Sequence, residues 1–320
     1  MLRKGLSIFV VAGAATGIWV AGDPGLQGAA QDLHVSVASD GSPPPQLPSS
    51  PGRIDPFAGT AAGPGAPRPL PEGQADTLDT RPTFRLVIGD HDERVPVPTP
   101  QTHPDRAIVY VLTPKAARCT GWLVGKDTVI TAGHCVFSTS WADPSQVRVA
   151  SSVSGERGSR TTPYPICTAR RMYSTTGWVS KNDEAHDYAA IKLNCDLGTT
   201  VGWLGAGNEP SPGGKAHKVV GYDVTHQSQC KDFGRFLNLC SGPGAKSVES
   251  DGLLFYDADT DKGESGAPVI VPASCALCAV AIHGQSRGHG TGLHMDLNHG
   301  VRISERVLKN LVAWRAVVVR

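Results

Sequence analysis

Short apolar runs of four to six residues recur along the chain and are separated by glycine, proline and serine. Some runs alternate apolar and polar residues, and others are apolar throughout. The first pattern is typical of half-buried β-strands and the second of fully buried ones. Many short strands between turn residues predict an all-β sandwich or barrel. The predicted strands are residues 107–112, 120–123, 128–131, 146–150, 189–193, 217–222, 253–256, 267–271 and 278–283.

The last stretch of the chain has a different period. Apolar residues recur there three and four positions apart, as they do on one face of an α-helix. Ser304 precedes them and is a residue type that caps helix N-termini. The sequence therefore predicts a C-terminal helix after Ser304, and its apolar face is formed by Val307, Leu308, Leu311, Val312 and Trp314.

The N-terminus has the pattern of a secretory signal peptide. Two basic residues precede an apolar run over residues 6–21, which is short for a membrane span. Cleavage after Ala21 and cleavage after Ala30 both fit, so residues 1–30 are assigned to the signal peptide. The alternative is an uncleaved membrane anchor. No other segment approaches the length of a transmembrane helix.

Residues 31–85 are rich in proline, glycine, alanine, serine and aspartate, and they contain few large apolar residues. Such a composition buries too little apolar surface to offset the entropy of ordering the chain. It predicts a disordered propeptide. The alternative is a flexible linker that keeps the domain near the cell surface. Residues 86–320 then form the globular domain.

Composition narrows the functional classes. A chain of 320 residues can bury a sizeable core, and its net charge of +1 offers no electrostatic case for a nucleic-acid partner. Eight cysteines, an even number, suit an oxidising compartment and hence secretion. No motif for a metal ion or a cofactor is found, so neither is expected.

One loop has the composition of a nucleophilic serine site. Ser265 lies within Gly263-Glu-Ser-Gly266, and the small glycines allow a substrate carbonyl to approach its hydroxyl. The backbone amides of Gly263 and Ser265 could point together at a developing oxyanion. Taken alone, the loop is equally well explained as an ordinary glycine and serine turn.

Two further segments change that interpretation. Residues 119–135 end in Thr-Ala-Gly-His-Cys and contain His134, and residues 187–193 begin with Asp187 followed by an apolar run. With Ser265 they give the order His, Asp, Ser. This order and these contexts resemble the chymotrypsin-like serine proteases. The resemblance is closer to the bacterial glutamyl endopeptidases, and further matching motifs are found at residues 87–90, 255–260 and 282–284.

The resemblance implies two six-stranded antiparallel β-barrels of the trypsin-like fold followed by the C-terminal helix. It implies that Ser265 is the nucleophile, that His134 is the general base and that Asp187 orients the imidazole. Asp183 and Glu184 compete for the last role. Asp187 is favoured because a short acidic residue that enters an apolar strand is buried and needs a partner.

The resemblance also implies a specificity pocket lined by Thr260 and His283. A threonine hydroxyl and an imidazole N–H are both donors, so together they could bind a substrate carboxylate. We therefore expect cleavage after Glu, with Asp weaker because it is one methylene shorter. A cut after Arg85 would start the mature chain at Leu86, whose positive amino terminus would lie close to this pocket and favour an acidic side chain.

The cysteines are assigned on mixed grounds. The family pattern pairs Cys119 with Cys135, and relatives carry a local bridge at the position of Cys275 and Cys278. Cys230 and Cys240 bound a short polar loop and are expected to pair. This leaves Cys167 and Cys195 as the remaining pair. Zinc binding by Cys275 and Cys278 is not favoured, because no second ligand pair has the required spacing.

Two positions depart from the relatives. Glu264 precedes the serine, where the wider family has Asp and the glutamyl relatives have a neutral amide. It could pair with the new amino terminus, pair with Lys262 or face solvent. The stretch 284–290 also differs, and Arg287 would strengthen acid binding if it reached the pocket.

The leading hypothesis is a secreted serine endopeptidase that is made as a proenzyme and cuts protein or peptide substrates after Glu. A monomer without stable membrane association after signal cleavage is expected. The alternatives are a protease of other side-chain preference and a non-catalytic homologue used for binding.

Overall fold

The computed structural model describes residues 32–60, 63–70, 87–88, 91–114, 117–156, 159–223, 230, 236–273, 275, 277–285 and 296–319. The predicted signal peptide, Leu86 and Arg287 lie outside these residues. No helix among the described residues is both long enough and apolar enough to span a membrane. Every element below belongs to one unit formed by residues 33–320.

The described residues form nineteen strands. In chain order they are β1 (Ser36–Ala38), β2 (Arg68–Pro69), β3 (Val95–Pro96), β4 (Ile108–Thr113), β5 (Ala117–Leu123), β6 (Thr128–Thr131), β7 (Arg148–Ser151), β8 (Gly155–Glu156), β9 (Thr161–Thr162), β10 (Cys167–Thr175), β11 (Ala189–Leu193), β12 (Gly205–Ala206), β13 (His217–Asp223), β14 (Phe236–Gly244), β15 (Ser247–Ser250), β16 (Leu253–Tyr256), β17 (Pro268–Ile270), β18 (Cys278–Gln285) and β19 (Asn298–Arg302).

Helices are few and mostly short in the described residues. Three are α-helical, namely α1 (Thr176–Lys181), α2 (Leu197–Val201) and α3 (Glu305–Ala316). Four are single 3₁₀ turns, at Asp105–Ala107, Gly133–Cys135, Pro144–Gln146 and Glu184–His186. Two of these turns, Gly133–Cys135 and Glu184–His186, lie at strand ends and present the candidate site.

The first sheet closes into a barrel. Its strands follow the order β1-β10-β11-β6-β5-β4-β7, and β7 also pairs with β10, so six antiparallel strands form a ring. Strand β6 is buried at all four residues, and so is β11 at all five. A closed barrel leaves no free strand edge among its six strands, and β1 adds to the outside of β10.

The second sheet follows the order β15-β16-β19-β18-β17-β13-β14-β3, and β12 and β8 pair beside this path. Its neighbours on the path are antiparallel. The ladders of the described residues do not close this sheet, but its two sides meet closely. A Cβ atom on Gly242 of β14 would lie 2.2 Å from Asp259 O, just beyond β16.

Helix α3 begins where the sequence predicts. Ser304 is its N-cap, and the Ser304 side chain accepts a hydrogen bond from Val307 N. The predicted apolar face is buried at Val307, Leu308, Leu311 and Trp314. The helix therefore packs its predicted face against the rest of the domain.

Apolar patterning predicted the buried strands well and missed the polar ones. Strands β6, β11 and β16 coincide with predicted runs, and β4, β5, β7, β13, β17 and β18 differ from theirs by a few residues. Among the strands of four or more residues, the prediction missed β10, β14, β15 and β19, whose sequences contain charged, small polar or turn-forming residues in place of an apolar run. It also missed the strands of two or three residues other than β17. Cross-strand pairing in the sheets determines these elements, since their own composition does not.

The described part of residues 31–85 corrects the expected disorder. Strand β1 pairs with β10, and Ile54 is fully buried and forms a bridge with Ala206. Phe57 forms a similar bridge with Trp203. This described part is ordered because β1 pairs with the barrel strand β10 while Ile54 pairs with β12 beside the second sheet, and average composition does not reveal such contacts.

Candidate active site

The register of β6 and β11 brings His134 and Asp187 together. Ala189 of β11 pairs with Thr131 of β6 in antiparallel register. The position two residues before Ala189, which is Asp187, therefore lies opposite the turn that follows β6. Asp187 Oδ2 lies 2.7 Å from His134 Nδ1, and Asp187 Oδ1 accepts a hydrogen bond from His134 N at 2.8 Å.

Gly133 makes room for this contact. A Cβ atom at this position would lie 2.9 Å from Asp187 Oδ1 and 2.7 Å from Trp178 Cδ1. Any larger residue would separate the carboxylate from the imidazole. The side chain of Asp187 is 1% exposed and that of His134 is 24% exposed, so the carboxylate is buried behind a ring that reaches solvent.

The other two acidic candidates have different partners. Asp183 caps the 3₁₀ turn that precedes Asp187 by accepting a hydrogen bond from Ala185 N. Glu184 lies 3.4 Å from His299 Nε2. Of the three carboxylates considered from the sequence, the structure therefore brings Asp187 to His134.

The Ser265 loop is bound to the first barrel by hydrogen bonds from Thr120. Thr120 of β5 donates from N to Ser265 O at 2.9 Å and from Oγ1 to Gly263 O at 2.8 Å. Gly266 has a φ of +87°, and a Cβ atom there would lie 2.3 Å from Thr120 O. Glycine is thus required at this position by both backbone angle and space.

Gly284 lies close to both Ser265 and Asp187. Ser265 Oγ donates to Gly284 O at 3.5 Å, and a Cβ atom on Gly284 would lie 3.5 Å from Asp187 Oδ2. On the other side, Cys135 Sγ is 3.8 Å from Ser265 O. The three candidate residues, which are far apart in sequence, thus converge where the two sheets meet.

Two amides of the serine loop are unused. In the described part of the chain, the backbone N–H groups of Gly263 and Ser265 donate to no protein acceptor. The intervening Glu264 N donates to Asp261 O at 3.1 Å, and Ala267 N donates to Glu264 O at 2.8 Å. Hydrogen bonds from Glu264 N and Ala267 N therefore fix the loop, while the N–H groups of Gly263 and Ser265 stay available to a ligand.

The electrostatics of the pair suit a base. Burial lowers the pKa of His134, but the charge of Asp187 and its hydrogen bond outweigh burial and raise the pKa above the ordinary value of 6.5. The imidazole can therefore accept a proton readily and remains neutral only above that raised value.

Thr260 precedes the serine loop in the chain, and His283 of β18 is hydrogen-bonded to the end of that loop. Thr260 is fully buried, and its Oγ1 has no hydrogen-bond partner among the described residues. His283 is joined to the loop by Gly266 N, which donates to His283 O at 2.6 Å, and by His283 N, which donates to Ala267 O at 2.8 Å. An unpaired buried hydroxyl is costly unless a ligand completes it.

The His283 ring is held neutral. Burial lowers its pKa to about 3, and the positive charges that His299 and His134 can carry act in the same direction. Its Nδ1 lies 2.6 Å from the hydroxyl of Tyr256, a buried group whose pKa is raised by burial and which stays protonated. This hydroxyl fixes the orientation of the ring.

Comparison with known proteins identifies the family. The sequence profile of the family described as trypsin matches residues 98–301, which is well over half of the chain. The chain belongs to the trypsin family. The resemblance inferred from the motifs is thereby confirmed, and the protein is a trypsin-fold serine protease.

Two relatives and one solved structure refine the comparison. A glutamyl endopeptidase of Bacillus licheniformis is 32% identical over 241 residues, which span 73% of this chain and 70% of the relative. An extracellular metalloprotease of Bacillus subtilis is 34% identical over 236 residues, 71% of this chain and 69% of the relative. The structure of a Glu endopeptidase in complex with MPD has a TM-score of 0.61 at 22% identity and covers 72% of this chain and all of its own. This likeness confirms the trypsin-like fold.

The name of the B. subtilis relative raises the question of a metal ion. In the described part of the protease, the residues with the spacing of a metal site are Cys119, His134 and Cys135. Both sulfurs form a disulfide bond, so neither can bind metal as a thiolate. His134 Nδ1 is bonded to Asp187. This donor set does not fit a metal ion.

The cysteines are joined in the pairs that the sequence analysis proposed. Cys119–Cys135 links β5 to the turn that carries His134. The other three bonds are Cys167–Cys195, Cys230–Cys240 and Cys275–Cys278. The first bond anchors the His134 turn beside the strand that binds the serine loop.

Glu264 has a partner that the sequence analysis did not consider. It is fully buried, and its Oε2 lies 3.4 Å from Nη1 of Arg94, which is equally buried. Burial raises the pKa of Glu264 to about 8, although the charge of Arg94 opposes this. Pairing with Lys262 and exposure to solvent are therefore both replaced by a contact with an arginine 170 residues away.

Sequence reasoning missed several residues that shape the site. Tyr256, Gly133 and Gly284 lie within or beside the motifs, but their roles depend on contacts across the sheets. Arg94 lies in an acidic stretch, Asp90-His-Asp-Glu-Arg94. That context offered a weak signal, since a basic residue among acids is more often solvated than buried.

Proposed function

We propose that this protease is a secreted serine endopeptidase that is made as a proenzyme and hydrolyses peptide bonds after Glu and, more weakly, after Asp. The observation that carries the proposal is the convergence of the His134–Asp187 pair and Ser265 around Gly284. A buried carboxylate behind a partly exposed imidazole, next to a serine in a glycine loop, is suited to acyl transfer.

The mechanism assigns one task to each residue. As Ser265 Oγ attacks the scissile carbonyl, His134 takes its proton and Asp187 stabilises the resulting imidazolium. The amides of Gly263 and Ser265 stabilise the oxyanion, which is consistent with their lack of other acceptors. His134 then donates its proton to the leaving amine, and water releases the acyl group by the same steps in reverse.

The preference for Glu is supported by the pocket groups. Thr260 Oγ1 is a buried hydroxyl that still needs a partner, and a substrate carboxylate can accept its hydrogen bond. His283 is neutral and is oriented by Tyr256, so it can line the pocket without an isolated buried charge. The relative from B. licheniformis is named for the same preference.

Processing after Arg85 is supported by the placement of the residues that follow. Ile88 N donates to Asp259 Oδ1 at 2.6 Å, and Asp259 directly precedes Thr260. An amino terminus at Leu86 or Val87 would then lie near the pocket and add a positive charge there. Secretion is supported by the N-terminal signal pattern and by the even cysteine count.

The proposal is tested with mature protein beginning at Leu86 and matched peptides that carry Glu, Asp, Gln, Lys, Phe or Leu before the scissile bond. Cleavage after Glu that disappears in Ser265→Ala supports it. Cleavage after another residue keeps the mechanism and rejects the pocket assignment. A folded, processed sample that cuts none of these peptides rejects the proposed activity and favours a binding role.

N-terminal sequencing of the secreted protein tests the processing step. A start at Leu86 or Val87 agrees with the proposal. A fully active protein that begins near Ala30 would contradict it.

A further inference from the structure

One guanidinium lies among four carboxyl groups beside the serine loop. The side chain of Arg94 is 0% exposed. It binds both oxygens of Asp92, through Nε at 3.0 Å and Nη2 at 2.9 Å. Its other contacts are Asp223 at 3.3 Å, Asp261 at 3.3 Å and Glu264 at 3.4 Å. Burying a cation costs free energy of desolvation, and the acidic neighbours of Arg94 offset that cost.

The acidic residues occupy informative positions. Asp261 and Glu264 lie on either side of Gly263, whose amide is one of the two proposed oxyanion donors. Asp223 ends β13, and Asp92 lies in the same short segment as Arg94. The arginine therefore joins the segment that follows the proposed processing site to the loop that carries the nucleophile.

The serine loop also contains two internal hydrogen bonds between Asp261 and Glu264, and Arg94 contacts both of these residues. Asp261 N donates to Glu264 Oε2 at 2.5 Å, and Glu264 N donates to Asp261 O at 3.1 Å. These two bonds enclose Gly263. The guanidinium of Arg94, which is not part of this loop, contacts Asp261 Oδ2 through Nη2 and Glu264 Oε2 through Nη1. The arginine therefore restrains the two side chains that flank Gly263.

We propose that Arg94 is a positioning residue that keeps the amides of Gly263 and Ser265 aimed at the oxyanion, in place of any contact from a freed amino terminus. The proposal rests on the proposed serine endopeptidase activity. Arg94 is on the mature side of the cut and is bound to the loop through side chains. The serine loop is therefore ordered before processing as well as after it, and the amino terminus is left to the pocket near Asp259.

The test compares three variants of the mature protease. Arg94→Met removes the charge and all the N–H donors of the guanidinium, and Arg94→Lys keeps the charge with fewer hydrogen-bond donors. Lys192→Met is the matched control, because Lys192 is also a buried cation, 1% exposed and 2.8 Å from Asp127 Oδ1, but lies in the first barrel. For each variant, kcat and KM are measured on the best peptide substrate together with the melting temperature.

Loss of oriented oxyanion donors lowers kcat more than it changes KM. We expect kcat to fall about 10- to 1,000-fold in Arg94→Met and to recover partly in Arg94→Lys. We expect Lys192→Met to lower the melting temperature while kcat stays within about threefold of the parent. A folded Arg94→Met variant with unchanged kcat overturns the proposal. If that variant does not fold, an unchanged kcat in Arg94→Lys overturns it.

Hydrogen exchange separates this proposal from the proposed activity. In a Ser265→Ala background, amide exchange is followed for residues 259–267 and for the control stretch 128–135. We expect Arg94→Lys to speed exchange about tenfold or more in the first stretch only, and Lys192→Met to leave that stretch protected. The measurement needs no cleavage of any substrate, so it tests Arg94 even if the peptide assay fails. Equal exchange in all variants overturns the proposal.

The same measurement tests independence from processing. The unprocessed Ser265→Ala chain and the Ser265→Ala chain that starts at Leu86 should show equal protection over residues 259–267. Protection that develops only after the cut would mean that the new amino terminus orders the loop, and it would overturn the proposed role of Arg94.

Discussion

The two carboxylate oxygens of Asp187 contact His134 at two separate points. Oδ1 accepts from the backbone N–H at 2.8 Å, and Oδ2 lies 2.7 Å from Nδ1. The first contact fixes the turn that carries the histidine, and the second fixes the ring and its tautomer. Because the carboxylate is buried, this double contact also determines the proton affinity of the imidazole.

The raised pKa of His134 predicts the pH dependence of the protease. Burial lowers this pKa, but Asp187 raises it above 6.5 by a larger amount. Since the base must be neutral, kcat/KM should rise with pH and reach half its maximum above about pH 6.5. Asp187→Asn should lower kcat by about 10⁴ and shift the midpoint downward. A rate that is flat from about pH 5 to 9 would contradict a histidine base.

The unpaired hydroxyl of Thr260 predicts a variant that separates binding from stability. Thr260→Val keeps the shape of the side chain and removes an Oγ1 that has no partner in the described structure. The free energy of unfolding should therefore stay equal or rise slightly. By contrast, kcat/KM for a Glu peptide should fall about 10- to 100-fold, while that for a Gln peptide should change less. Equal losses on both peptides would exclude a carboxylate contact at Thr260.

The buried carboxyl of Glu264 predicts a loss of stability as pH rises. Burial raises its pKa from 4.5 to about 8 in the folded protein, so the folded state keeps a proton that the unfolded state has already released. Stability from this group is therefore complete below about pH 4.5 and is lost as pH rises toward 8.

Glu264→Gln cannot ionise and should remove that loss. Relative to the parent, we expect a gain at pH 8 of about 2–4 kcal/mol in the free energy of unfolding and little gain at pH 4.5. Urea unfolding at the two pH values measures the difference. A gain of the same size at both pH values would contradict a raised pKa of Glu264 in the folded protein.

The ordered stretch 33–60 predicts that this part of the chain stabilises the domain. Ile54 is fully buried, and Trp314 Nε1 of α3 donates to Ser36 Oγ at 2.7 Å. In the unprocessed chain, Ile54→Ala should lower the free energy of unfolding by about 2–4 kcal/mol. Leu47→Ala is the matched control, because Leu47 is 49% exposed, and it should change stability by about 0.5 kcal/mol or less.

If residues 33–60 were disordered in solution, both alanine variants would leave unfolding unchanged. The ordered arrangement has a second consequence. After a cut at Arg85, the N-terminal fragment should stay bound to the domain in native mass spectrometry. Its release as a free peptide would contradict the contacts of β1 and Ile54.

The sequence by itself determined the local features of this protease. Apolar runs predicted strands such as β6 and β11 because strands that are buried on both faces are rich in apolar residues. The glycines at 263 and 266 both have positive φ, +98° and +87°, as a tight loop around a serine requires. The cap at Ser304 similarly predicted the start of α3. In each case the residues that determine the feature are adjacent along the chain.

Only the tertiary structure decided which distant groups meet. The sequence favoured Asp187 over Asp183 and Glu184 from its position before an apolar strand, and the register of two strands then brought it to His134. The contact between Arg94 and Glu264 spans 170 residues, and the order of residues 33–60 depends on contacts with both the barrel and β12. Such contacts depend on the path of the whole chain, and no local pattern encodes them.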